Sequence, residues 1–205
     1  CITSPSGPYY KSGFGPIKLL ADTTNVRAWP GGVGSSKLGG NYGPTLVPSE
    51  VAALEHDCHQ ILWLFGPDHH TTEVGAMNIF FVIKNKVTGK PELITAPLDR
   101  GDILPGVTRV SILELARNGR VGDIEVSERD LPMAEVVEAS KEGRLMESFG
   151  AGTAAIISPV RCIVYKGEDI NLPTGDDIGP IAKQFWTILT DIQYGKVEHE
   201  WSVVV

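Results

Sequence analysis

The sequence predicts an α+β fold built on a largely antiparallel or mixed sheet. Two observations carry that reading. Short apolar runs bounded by glycine and proline turns dominate the chain, and about four stretches with helical periodicity stand beside them. No internal repeat or low-complexity tract complicates the pattern. The 205 residues are 42% hydrophobic and 21% charged, which suits one large domain or two small ones and excludes collagen-like, mucin-like and disordered chains. Acidic residues (25) outnumber Lys and Arg (18) for a formal charge of −7, so nucleic acid is not the expected partner. Apolar runs such as Ile79–Ile83 and Ala154–Ile157 fall far short of the roughly 20 residues that span a bilayer. Neither a membrane segment nor a secretory signal is expected. Cys1, Cys58 and Cys162 show no framework spacing and read as free, buried thiols in a reducing compartment. The chain opens on Cys1-Ile-Thr-Ser-Pro, which reads like the middle of a protein whose N-terminal part lies upstream.

The elements follow in order. Residues 1–16, with Ser4-Pro5-Ser6-Gly7-Pro8 and Gly13-Phe14-Gly15-Pro16, read as a linker or interdomain loop, leaving 17–205 as the domain. Lys18–Ala21 is a short strand. From Pro30 to Gly43 the glycines require tight turns or close approach. A helix is expected from about Thr45 to Asp57, with Val47, Val51, Ala52 and Leu54 on its apolar side. Gln60–Phe65 is a continuous apolar strand, turned by Gly66-Pro67-Asp68 into a second strand over Glu73–Lys84. A third follows near Glu92–Thr95. Pro105-Gly106 opens a helix ended by Gly119, Asp123–Arg129 is a strand, and Pro132 and Gly143 bracket another helix. Leu145–Phe149, Thr153–Ser158 and Cys162–Lys166 read as three short strands. The clearest helix carries Ile181, Phe185, Ile188, Leu189 and Ile192 before Gly195. Glu200–Val205 is expected as a closing strand. Trp63, Phe65, Phe80, Phe81, Phe185 and Trp186 are assigned to the core, and the acidic run Glu125–Glu135 to a solvated face.

Four segments could carry chemistry. Lys37 lies among small residues in Gly34-Ser-Ser-Lys-Leu-Gly-Gly-Asn-Tyr-Gly43. Its plain reading is a solvated loop lysine; its chemical reading is a Schiff-base lysine, whose small neighbours let a planar group approach the backbone. Glu73 begins an apolar run, so its carboxylate needs a buried partner: an arginine, or a protonated pyridine nitrogen. Gly106-Val107-Thr108 leads a helix start whose free N–H groups and hydroxyl suit an anion, although any helix start looks alike. Gly150-Ala-Gly-Thr-Ala-Ala155 offers a second glycine-rich turn with backbone N–H groups and the Thr153 hydroxyl. His56, Cys58, His59 and Asp68-His69-His70 fit no standard zinc spacing, and no metal is expected.

Together the four segments resemble the branched-chain aminotransferases, pyridoxal-phosphate enzymes of fold type IV. The resemblance covers essentially the whole chain. It rests on Lys37-Leu-Gly-Gly-Asn-Tyr-Gly43, Ser4-Pro-Ser-Gly-Pro-Tyr9, Val26-Arg-Ala-Trp29, Leu62-Trp-Leu64, Gly66-Pro-Asp-His69 and Asp191-Ile-Gln-Tyr-Gly195. It implies the large domain of that fold, a curved mixed sheet with flanking helices. It also implies that Lys37 bonds covalently to pyridoxal phosphate and moves the substrate proton, with Tyr42 on the phenolic oxygen and Glu73 on the ring nitrogen. Gly106, Val107, Thr108 and Thr153 would hold the phosphate. Ala76, Thr153 and the Ala154 amide would meet the substrate carboxylate, and Tyr9 would line the side-chain pocket.

The implied reaction is ping-pong transfer of the amino group of leucine, isoleucine or valine to 2-oxoglutarate, in cytoplasm or mitochondrion. A homodimer is implied, or association with an N-terminal domain that supplies an arginine to the phosphate and part of the substrate pocket. Two departures from vertebrate relatives stand out. Ala76 replaces a threonine, and Ala155 and Ser158 occupy the positions of a Cys-x-x-Cys redox pair. The alternatives are a D-amino acid transaminase or aminodeoxychorismate lyase on the same fold, or a non-catalytic fragment or paralogue serving as a binding module.

Overall fold

The computed structural model describes Ile2, Ser4, Pro5 and residues 15–203. Tyr9, most of the 1–16 segment and Cys1 lie outside the described residues. The strands are β1 (Ile17–Asp22), β2 (Gln60–Phe65), β3 (His70–Val74), β4 (Met77–Lys84), β5 (Pro91–Thr95), β6 (Glu125–Glu128), β7 (Leu145–Gly152), β8 (Ile156–Tyr165) and β9 (Glu168–Asn171). The helices are α1 (Leu46–His56), α2 (Val107–Arg117), α3 (Met133–Lys141) and α4 (Pro180–Gln193).

All nine strands join one mixed sheet in the order β3-β2-β1-β8-β7-β4-β5-β6, with β9 on β8. β1 runs parallel to both β2 and β8, while β2–β3, β4–β7 and β7–β8 are antiparallel. Because β3 also bonds to β4, strands β1, β2, β3, β4, β7 and β8 close into a ring. The right-handed twist of strands makes such closure possible, and closure removes exposed edges. The expected α+β class with a curved mixed sheet is therefore what forms.

β4 explains the two main cores. Successive side chains of a strand point to opposite faces. Ile79, Phe81 and Ile83 join Leu19, Leu62, Val74 and the α3 residues Met133, Val136 and Ala139 on one face. Phe80 and Val82 join Phe149, the α2 residues Ile112 and Leu115, and the α4 residues Phe185 and Leu189 on the other. Both faces are covered, which is why β4 reads as an unbroken apolar run. Ala52, Cys58, Ile61, Trp63 and Val164 make a smaller core under α1.

Several expectations need correction. The strand expected over Glu73–Lys84 is two strands joined at Gly75-Ala76, where Gly75 takes φ +55 and Val74 pairs with Met77. An apolar run hides such a hairpin unless its glycine is read as a turn. The three short strands after Gly143 are two long ones, because Pro159 sits inside β8 opposite Phe149. β9, with its acidic sequence, was not expected. Residues 200–203 form a turn and irregular backbone, so no closing strand appears among the described residues. On α1 only Ala52 is buried, while Leu46, Val47 and Leu54 are exposed. Trp186 is also largely exposed, because the α4 stripe that packs inward runs through Ile181, Phe185 and Leu189. The acidic run is engaged as well as solvated: Glu128 binds Arg109 and Arg117, and Glu135 binds Arg129.

Candidate active site

The segment after β1 carries Lys37 on a loop fixed from inside. Asn41 is buried, and its Nδ2 donates to the carbonyls of Val33 (2.7 Å) and Ser36 (2.8 Å). Ser36 N–H donates to Val33, Leu38 to Ser36, and Asn41 to Leu38, so the turns on both sides of Lys37 are bonded to one another. A Cβ on Gly34 would lie 2.7 Å from the backbone carbonyl of Asp102, so this loop touches the one before α2 directly. Lys37 itself stays exposed at the rim, outside any helix and with no salt bridge to its amine among the described residues. Tyr42 follows at a short 3-10 turn, half-buried.

The β3–β4 hairpin places Glu73 opposite Asn78. Glu73 is only 2% exposed. Its Oε1 accepts from Leu104 N–H at 2.7 Å and from Asn78 Nδ2 at 3.4 Å. Arg27 Nε lies 3.0 Å from Oε2 as a buried ion pair, out of line for a hydrogen bond. Burial pushes the Glu73 carboxyl up to about 7, while the Arg27 charge and the Leu104 N–H pull it down. Lys37 also favours the ionised form, and Asp102 opposes it.

Asn78 Nδ2 donates in addition to the Leu104 carbonyl at 2.9 Å, and Gly106 is so close that any Cβ there would overlap Asn78 Oδ1. The Glu73–Asn78 pair thus holds the approach to α2. That helix begins at Gly106 with no side-chain cap, leaving its first N–H groups for a ligand or water. Thr108 is buried beside them, whereas Val107 is exposed.

On the opposite side lies the β7–β8 turn with Thr153 and Ala154, both exposed. Gly150 and Gly152 have a packing reason: a Cβ on either would crowd Met77. Ile156 closes the turn at φ +57, a region that β-branched residues rarely adopt and that marks local strain beside the site.

Lys37, Glu73, Ala76, Gly106, Val107, Thr108 and Thr153 line one cavity of about 300 Å³, together with Asn78. Tyr42 and Ala154 flank it in sequence without lining it. That size and polarity suit a small ring bearing an anionic group, with the buried carboxylate at one place and the uncapped helix at another. The residues present therefore fit a pyridoxal-type group. Sequence reasoning missed Arg27, Asn41 and Asn78 as site residues. Arg27 stood in view as the cation in Val26-Arg27-Ala28-Trp29, and Asn41 lay inside the lysine segment. The histidines have partners of their own: His70 pairs with Asp68, and His69 with Tyr165. Cys58 and Cys162 are free and buried.

The sequence profile described as amino-transferase class IV matches residues 6–163. The chain belongs to that family. A branched-chain-amino-acid aminotransferase of Monosiga brevicollis is 53% identical over 206 residues, covering 100% of this chain and 52% of that protein. The cytosolic branched-chain-amino-acid aminotransferase of Saccharomyces cerevisiae is 51% identical over 208 residues, covering 100% of this chain and 55% of its own length. The PLP-form crystal structure of the Thermobaculum terrenum branched-chain amino acid aminotransferase superposes with a TM-score of 0.67 at 27% identity. It covers 89% of this chain and 52% of that one. The chain spans about half the length of the curated relatives it matches. In the class IV family, known as fold type IV, the enzymes depend on pyridoxal phosphate. No helix among the described residues is long and apolar enough to cross a membrane.

Proposed function

We propose that this chain supplies the cofactor-binding wall of a pyridoxal-phosphate-dependent branched-chain-amino-acid aminotransferase. The reaction is transfer of the amino group of leucine, isoleucine or valine to 2-oxoglutarate. The observation that carries the reading is a single cavity lined by Lys37, the buried Glu73 and the uncapped start of α2 with Thr108. The relatives' names supply the substrate class.

When bound, the cofactor's protonated pyridine ring supplies an electron sink that makes a substrate Cα–H acidic. Glu73, as a carboxylate, accepts the ring N–H and keeps that proton in place. Each carboxylate oxygen has two lone pairs, so the bonds Glu73 makes inside the protein leave room for it. The α2 N–H groups with the Thr108 and Thr153 hydroxyls bind the phosphate, and Tyr42 holds the phenolic oxygen. Lys37 Nζ would hold the cofactor covalently and, when free, would be the base that carries the proton from the substrate Cα. The Ala154 amide and Ala76 meet the substrate carboxylate. Residues 17–205 form the cofactor-binding domain, 1–16 the link to a second domain, and Tyr9 contacts the substrate side chain. The working protein is a homodimer of the cytosol or mitochondrion.

Absorbance of the chain with added pyridoxal phosphate, wild type against Lys37→Ala, tests this. A visible band that needs Lys37 and is bleached by leucine is the expected result. A band that ignores leucine would leave this chain as cofactor carrier only, and no Lys37-dependent band would refute the assignment.

A further inference from the structure

Arg27 is an unusual residue to bury. It is 3% exposed, and its guanidinium is the only cation paired with Glu73 among the described residues. Its other contacts are equally pointed. Nη2 donates to the Gly34 carbonyl at 3.2 Å and to the Asp102 carbonyl at 2.9 Å. Gly34 lies three residues before Lys37 on the loop that carries it. Asp102 lies on the loop that leads through Leu104 to the start of α2. One side chain therefore joins three of the segments that line the cavity: the lysine loop, the Glu73 hairpin and the approach to the helix.

A buried cation is retained at a cost in desolvation, and a fully apolar replacement is often as stable. Arginine's planar, permanently charged fork is suited to holding several acceptors in fixed directions, as lysine is not. The charged groups that face Glu73 are Arg27 and Lys37 from the segment after β1, and Asp102 from the loop before α2. Asp102 is itself paired with Arg100 at 2.9 Å. With Arg27 removed, Glu73 would face Asp102 with only the rim lysine to balance it.

We propose that Arg27 is a positioning residue of the transamination site: it holds Glu73 as a carboxylate aimed at the cofactor ring and fixes the lysine loop against the phosphate-binding turn. This rests on the functional reading above, and a failure of that reading is seen separately, as loss of any Lys37-dependent band in the wild type.

The test uses the protein loaded with pyridoxal phosphate and compares wild type, Arg27→Lys, Arg27→Met, Glu73→Gln and the Arg27→Met/Glu73→Gln double variant. The readouts are cofactor Kd and the pH midpoint of the Lys37-linked visible band. Arg27→Met is expected to weaken cofactor binding about tenfold or more, as loss of charge-assisted bonds does, and to move the midpoint in the same direction as Glu73→Gln. In the Glu73→Gln background it should move the midpoint no further, because Arg27 acts through that carboxylate. Arg27→Lys keeps the charge but not the fork, so its midpoint should stay near wild type while binding weakens. An unshifted midpoint in a folded Arg27→Met variant would overturn the proposal, as would a shift additive with Glu73→Gln. Where Arg27→Met does not fold, Arg27→Lys decides: wild-type binding in that variant rejects the positioning role.

Discussion

Gly106→Ala isolates the contact that joins the Glu73 hairpin to the start of α2. Gly106 has φ −68 and ψ 136, a conformation open to alanine. On backbone grounds alone the substitution should stabilise the chain by about 0.4–1 kcal/mol. The structure predicts the opposite sign. The new Cβ would overlap Asn78 Oδ1 and lie 3.4 Å from its Cγ. Asn78 is buried and cannot swing away without releasing the Leu104 carbonyl, its 2.9 Å partner. Strain of this kind costs about 1–3 kcal/mol, and a buried polar group left without its partner costs about as much again. A net loss of about 2–3 kcal/mol follows from those terms. Asn78→Ala alone should cost about 1–2 kcal/mol. In the double variant the new methyl has room, so the total should stay close to the Asn78→Ala value, a coupling of about 2 kcal/mol. Urea unfolding monitored by circular dichroism, at constant m, gives all four corners of the cycle. Additive losses, or a stabilised Gly106→Ala chain, would refute the reasoning. The same cycle read in cofactor Kd reports whether the turn, rather than the whole fold, has moved.

Three further outcomes follow from other contacts. Asn41→Ala removes both bonds that brace the Lys37 loop, and should cost about 2 kcal/mol and slow formation of the Lys37-linked band; an unchanged rate would show that the loop is held by other contacts. Glu147 caps α4 from the sheet, accepting from Ile181 and Ala182 N–H at 2.9 Å each, and burial pushes its carboxyl up. Glu147→Ala leaves two N–H groups buried and should cost about 3–5 kcal/mol in chemical denaturation, with less than about 1 kcal/mol contradicting the cap. Glu73 titrates near 7 in the folded, cofactor-free chain against 4.5 as its ordinary value, so the folded state holds its proton more tightly. Its contribution is complete below about pH 4.5 and is lost as pH rises to about 7, about 3 kcal/mol in all. The carboxyls held below their ordinary range, among them Glu92 and Glu128, contribute in the other direction and only at lower pH. Wild-type stability should therefore fall relative to Glu73→Gln between pH 5 and 8, whatever the offset between them; parallel curves would contradict it.

What was legible in the sequence is what a single segment encodes. β2 and α4 match their expected spans because an apolar run and a 3.6-residue stripe declare which side is buried. The clustering of Lys37, Glu73, Thr108 and Thr153 was legible through family resemblance, since no periodicity brings residues so far apart in the chain to one cavity. The β3–β4 hairpin was not legible, because β3 (His-Thr-Thr-Glu-Val) is polar in sequence although buried, and only the two residues Gly75-Ala76 separate it from the apolar run of β4. The turn matters chemically, because it sets Asn78 opposite Glu73 and with it the tie to Leu104. Arg27 was hidden for a different reason. A buried charge is explained only by its partners, and those lie on two loops and a hairpin that no local pattern connects. Gly34 and Gly106 carry the same lesson from the other side. The sequence marks each as a place where something comes close, but only the fold shows that the neighbours are Asp102 and Asn78. In this site the residues that meet the ligand are written in short motifs, while those that hold them in register are single residues whose meaning is set by tertiary contact.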